Sequence, residues 1–217
     1  MGQILAMTYS WKIFAAGAAI ILASCGNVQN DDGIIAQIRT GLAAKKQAAP
    51  PAPDIAALRA QFTPEVMAQI GGPILIVQIP SRDAVAVLTR VGTNNGVDTF
   101  LTPDGVSISL RDGMVVATRG LGFDLMTADI AEPLMAVKGS GDTAVRVHRY
   151  LDGENQIVAK SFGCAYSVTA VRQVTETCTS SSDNFENIFV MNANGNIASS
   201  RQWISPQIGA VLIERYE

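Results

Sequence analysis

The sequence predicts an all-β domain, an antiparallel meander closed into a barrel-like form or folded as a sandwich, with a short helical segment ahead of it. Three observations carry this. From Pro73 onward the apolar residues fall into short strand-type runs, such as Ile74 to Ile79 and Ala84 to Leu88. Turn signatures separate the runs: Asn94-Asn95-Gly96, Pro103-Asp104-Gly105, Arg111-Asp112-Gly113, Asp152-Gly153 and Asn194-Gly195. Cys164 and Cys178 each stand seven residues from Val171, as partners across one hairpin would. Many short strands at regular spacing build barrels and sandwiches.

The chain has 217 residues, 48% hydrophobic and 16% charged. That suffices for one domain with a sizeable core plus a tail. Its formal charge is −3 with the basic residues dispersed, which leaves no concentrated positive footprint for nucleic acid. A single histidine excludes a multi-histidine metal centre, and the three cysteines lie far from zinc-ligand spacing.

Residues 1–24 read as an export leader. Met1 to Lys12 hold one basic and no acidic side chain, and an apolar run from Ile13 to Leu22 follows. The run is too short for a bilayer, which needs about 20 residues, but has the length of a signal-peptide core. It ends at Leu22-Ala23-Ser24-Cys25, which resembles a bacterial lipobox. The resemblance implies a diacylglyceryl thioether on Cys25, cleavage before it and acylation of the new amino terminus. Several acyl chains anchor stably, at about 0.8 kcal/mol per buried methylene. Loss of Lys12 with the leader takes the formal charge from −3 to −4. Gly26, where enterobacterial sorting would read Asp as a retention signal, favours the outer membrane.

Residues 25–71 form the lipid-attached tether, helical pieces and linker. Gly26 to Gly33 are polar; Ile34, Ile35, Ile38 and Leu42 then recur at helical spacing, with Lys45 and Lys46 favouring a carboxyl end. Ala48 to Pro53 is a semi-stiff, proline-rich linker. Asp54 to Phe62 and Thr63-Pro64-Glu65 begin two short helical pieces, the second with Thr63 as cap and Pro64 in the first turn.

Residues 72–217 are the β domain. Strands are expected at Ile74 to Ile79, Ala84 to Leu88, Val97 to Leu101, Val106 to Leu110 and Met114 to Thr118. After an irregular, Gly- and Pro-marked excursion, Leu121 to Gly141, come Ala144 to Leu151, Ile157 to Thr169, Arg172 to Thr179, Asn187 to Met191, Ile197 to Trp203 and Ala210 to Arg215. A hairpin turning at Ala170-Val171-Arg172 places Cys164 opposite Cys178. Phe162, Tyr166, Val168 and Val174 share their face, and Glu176 is its one polar member. A bridge there is favoured in an oxidising compartment; two buried thiols are the alternative.

Three phrases carry a family resemblance. Thr118-Arg119-Gly120-Leu121-Gly122-Phe123-Asp124-Leu125-Met126, then Tyr150-Leu151-Asp152-Gly153 with the two cysteines, then Asn196 to Gly209 containing Ser200-Arg201-Gln202-Trp203 and Pro206, occur in this order. They resemble the YjbF/GfcB family of capsule and exopolysaccharide lipoproteins over roughly residues 70 to 217. Asn187-Ile188-Phe189-Val190 departs from the Tyr-Trp pair expected there. The resemblance implies an outer-membrane lipoprotein facing the periplasm with a β-barrel-like fold, working with an outer-membrane β-barrel protein and a periplasmic protein in polysaccharide export. It implies no enzymatic activity and no cofactor.

Chemistry has few footholds. Asp124 and Asp129 could pair as glycosidase carboxylates, but nearby acids are common on solvated loops. His148 reads as a surface residue on the face opposite Val145 and Val147, and no nucleophile elbow accompanies it. Trp203 can stack on a sugar or pack into the barrel, and Arg119 and Arg201 can hold a carboxylate or a loop carbonyl. Contacts with a partner or a glycan are therefore assigned to Arg119, Phe123, Asp124, Met126, Arg201 and Trp203, with no catalytic and no metal residue. The leading expectation is an accessory lipoprotein of an export complex. A periplasmic polysaccharide-binding module comes second, a hydrolase or lyase a distant third.

Overall fold

The computed structural model describes residues 55–217; Cys25, the leader and most of the tether lie outside them. Two short helices come first, α1 (Ile55–Arg59) and α2 (Pro64–Ile70). Thr63 caps α2 through its side chain, Pro64 sits in the first turn, and Gly71 ends the helix in the left-handed conformation. The Arg59 guanidinium pairs with Glu214 and the Phe62 ring lies 6.0 Å from Tyr216, which ties this segment to the last strand.

Then follow β1 (Ile74–Ile79), β2 (Ala84–Asn94), β3 (Val97–Leu101), β4 (Ser107–Arg111), β5 (Met114–Arg119) and β6 (Thr127–Asp129). Helix α3 (Ala131–Val137) leads to β7 (Thr143–Leu151), β8 (Ile157–Ala170), β9 (Gln173–Thr179), β10 (Asn184–Met191), β11 (Ile197–Ser205) and β12 (Gly209–Tyr216). All twelve strands form one antiparallel sheet in the order β5-β4-β3-β2-β1-β12-β11-β10-β9-β8-β7-β6. Pairing of β1 with β12, Ile74 opposite Tyr216, rolls the meander into a nearly closed barrel. Among the described residues the sheet ends at β5 and β6, which are consecutive in the chain and face each other. The all-β, barrel-like expectation holds.

Because every neighbour is antiparallel, the turns alternate between two ends. At the proximal end the chain enters β1, and the turns at 95–96, 112–113, 171–172 and 192–196 lie there with α3. The distal end carries the 80–83, 102–106, 120–126, 152–156, 180–183 and 206–208 connections. Inside, Leu75, Leu88, Phe100, Met114, Tyr150, Phe189, Ile204 and Val211 form the main core, and Phe162, Phe185 and the two cysteines a second one. At Gly113, between β4 and β5, a Cβ would fall 2.6 Å from the Cβ of Ile197, so only glycine permits that approach.

The structure corrects three expectations. The 121–141 excursion is not irregular throughout, since it contains β6 and α3. Val168 belongs to the cysteine face by register, but β8 runs past the rim and leaves it 79% exposed. His148 is 1% exposed, not on the surface. On β7 the inward face is Ala144, Arg146, His148 and Tyr150, while Val145 faces out. Arg146 goes inside because Glu176 pairs with it there, and His148, two residues on, shares that face.

Candidate functional site

The family-like phrase at 118–126 builds the seam between the two sheet edges. The Thr118 amide donates to the Leu125 carbonyl at 2.9 Å, and the Leu125 amide returns to Thr118 Oγ1 at 3.0 Å. Asp124 holds the loop between them. Its Oδ1 accepts from Thr118 Oγ1 at 2.9 Å and from the Leu121 amide at 3.1 Å, and its Oδ2 accepts from the Gly120 amide at 2.9 Å. Arg119 donates to the Thr118, Leu125 and Met126 carbonyls at 2.6, 3.2 and 3.2 Å. Gly120 turns with φ +86°, where a Cβ would meet Val106 at 3.2 Å. From the distal end Arg82 donates to the Leu121 carbonyl at 2.5 Å and Ser205 Oγ to the Phe123 carbonyl at 3.1 Å. Phe123 stacks on Tyr150 at 5.4 Å.

A second phrase, Ser200 to Trp203, ties opposite walls together. Gln202 is 1% exposed, accepts from the Val115 amide at 2.8 Å and donates to the Gly113 carbonyl at 2.8 Å. Its amide therefore stands in for a strand partner along the edge of β5. The ladder between β10 and β11 stops at Ile188–Arg201, and the Trp203 amide donates instead to Asn187 Oδ1 at 2.6 Å. Arg201, exposed, spans the same opening to the Glu186 carbonyl at 2.7 Å.

Beneath Trp203 lies a buried polar network. Arg146 holds Glu176 with two bonds, 3.0 and 2.9 Å, and both side chains are at most 2% exposed. Tyr166 and Asn187 complete the carboxylate at 2.5 and 2.6 Å. Such a pair is neutral to mildly unfavourable against an apolar replacement, yet losing one member costs about 3–5 kcal/mol. Burial raises the Tyr166 phenol, with the Glu176 charge adding to it.

His148 sits beside this network. Tyr150 donates its one proton to the Ile204 carbonyl at 2.6 Å, so the 3.0 Å contact between His148 Nδ1 and Tyr150 Oη requires the proton on Nδ1. Nε2 then carries a bare lone pair, buried without a partner. Trp203 and Phe185 stack at 4.5 Å and 3°, and His148 lies nearly parallel to both at 5.8 and 6.0 Å. Desolvation, with the Arg146 charge adding to it, holds His148 well below its ordinary value of 6.5. His148 is thus held by Tyr150 on one side and by the rings of Phe185 and Trp203 on the other.

The structure thus brings Arg119, Phe123, Asp124 and Met126 together at the seam and leaves Arg201 and Trp203 on another wall. The Asp124 carboxylate accepts three hydrogen bonds within the seam, and Asp129 accepts from the Ala131 amide at 3.3 Å. Cys164 and Cys178 form a disulfide with Cα atoms 4.0 Å apart. Glu176 lies near the two sulfurs, but its oxygens are taken by Arg146, Tyr166 and Asn187. Sequence reading missed Arg146 and Gln202 and placed His148 on the surface, where it is not. Glu176 was the available signal, because an acid on an apolar strand face demands a buried partner.

A family model described as "Group 4 capsule polysaccharide lipoprotein gfcB, YjbF" matches residues 55–215. The crystal structure of the hypothetical lipoprotein YmcC from Escherichia coli (K12) is similar, with a TM-score of 0.58 at 14% identity, covering 78% of this chain and 98% of that one. That likeness concerns the fold. No curated protein matches. The matched span runs from α1 into β12 and includes the seam, the cross-barrel glutamine and the disulfide hairpin; the chain belongs to the YjbF/GfcB family of group 4 capsule polysaccharide lipoproteins.

Proposed function

We propose that this protein is an outer-membrane lipoprotein, anchored through Cys25 and facing the periplasm, that serves capsule or exopolysaccharide export by binding other proteins and not by chemistry. The family match over residues 55–215 carries the reading, together with the lipobox that precedes it. The engagement of the candidate polar groups supports it. Asp124 and Arg119 bond to the backbone and side chains of the seam itself, and His148 is packed in the core, so these polar groups serve the fold. Trp203, the ring best suited to a sugar, is stacked on Phe185, which disfavours a glycan platform there.

The test uses the full chain with an affinity tag, recovered from detergent-solubilised envelopes. An outer-membrane β-barrel protein and a periplasmic protein of the polysaccharide system should co-purify in stoichiometric amounts, and the native polysaccharide should survive incubation with the pure protein. Turnover of that polysaccharide would overturn the reading.

A further inference from the structure

The two ends of the barrel differ in the large apolar side chains they expose. Among the described residues, the large apolar side chains left exposed at the proximal end are Ile70, Val91, Met135, Val145, Val168 and Val171; only Ile157 and Val158 lie toward the other end. Val171 is the extreme case, 91% exposed at the tip of the β8–β9 turn. The hairpin behind it is braced by the Cys164–Cys178 bridge and by a 3.0 Å bond between Thr169 and Thr175. From 157 to 175 the chain holds no acid; Lys160 is paired with Asp183 at the distal end, and Arg172 stands beside Val171. Acids stand at both ends, Asp104, Asp152, Glu154 and Asp183 in the distal turns and Asp112, Glu132 and Asp142 at the proximal end, so the ends differ in exposed apolar side chains and not in charge.

Isolated exposed valines need no explanation, but their gathering at one end does. The chain enters β1 at this same end. Thirty residues separate Cys25 from Ile55, a reach of up to about 100 Å, so a lipid on Cys25 alone holds the domain near a membrane without orienting it. We propose that the proximal rim is a membrane contact, with the β8–β9 tip seated at headgroup level and Arg172 directed to lipid phosphates. Apolar tips flanked by a snorkelling cation suit that interface. The distal loops, including the 120–126 seam and the 206–208 turn, then face away from the bilayer and are free for partners. This rests on the proposed anchoring through Cys25.

The test reconstitutes the full lipidated chain into vesicles of phosphatidylethanolamine and phosphatidylglycerol, with and without brominated phosphatidylcholine. Val171→Trp and Glu154→Trp place a fluorophore at each end, and the native protein supplies the background. Val171→Trp should lose about half of its added fluorescence to the brominated lipid and Glu154→Trp almost none. Flotation of all three proteins with no quenching of Val171→Trp, or stronger quenching of Glu154→Trp, would overturn the membrane rim while leaving the anchor intact. Failure of the native chain to float would remove the anchor, and the rim with it.

Discussion

At the scale of single residues the interior is set by polar groups that are satisfied and one that is not. Glu176 accepts from Arg146, Tyr166 and Asn187, so its burial is compensated. His148 Nε2 has no such compensation. The folded state therefore resists protonation there, and the pH dependence follows. Below about pH 6.5 the unfolded chain takes up a proton that the folded chain refuses, so stability falls as pH drops, by up to tenfold in the unfolding equilibrium per pH unit. His148 is the chain's only histidine, and no other side chain has its ordinary value in that window. Urea midpoints should thus fall between about pH 7.5 and 5.5 in the native protein and stay nearly level in His148→Phe. Equal slopes in the two proteins would contradict this account.

At the scale of elements, two features hold the sheet where backbone ladders do not suffice. The first is the seam. Asp124→Ala removes three hydrogen bonds to a carboxylate and should cost about 2–3 kcal/mol, partly offset by water reaching the loop. Amide exchange at Thr118 and Leu125 should accelerate well before that of Phe162 on the far wall; uniform acceleration would show that the seam is not a separable unit. The second is the disulfide hairpin. The strand pairing runs Cys164 to Cys178 and Val168 to Val174, and a bulge before Ala170 then leaves Val171 and Arg172 as the turn. Equal spacing about Val171 made the partnership legible because the bulge lies outside the paired segment. With 14 residues separating the cysteines, the double Cys→Ser variant should lose about 3 kcal/mol, read from urea unfolding. If both thiols of the exported, unreduced protein react with an alkylating agent, the bridge is absent in the cell.

At the scale of the whole molecule, the membrane anchor is proposed at Cys25. A fatty-acid label should mark the native chain and not Cys25→Ala, and the variant should pass from the membrane to the soluble fraction; label retained by the variant would place the lipid elsewhere. By itself the sequence determined the strand-rich class, eleven of the twelve strands, the turns at Asn95-Gly96 and Asp112-Gly113, the Thr63 cap and the cysteine partnership. All of these depend on neighbours close along the chain, through period-two patterning, positive-φ turn residues and capping oxygens. Only the tertiary structure decided which face of β7 turns inward. Ala144 and Tyr150 compete there with Val145 and Val147, and the balance is set by Glu176, thirty residues on from Arg146. It also decided that the barrel breaks between β5 and β6, and that Asp124, Arg119 and Gln202 serve to close it. A side chain's partner across a barrel leaves no local trace in the sequence, because the contact is made by closure of the sheet and not by proximity along the chain.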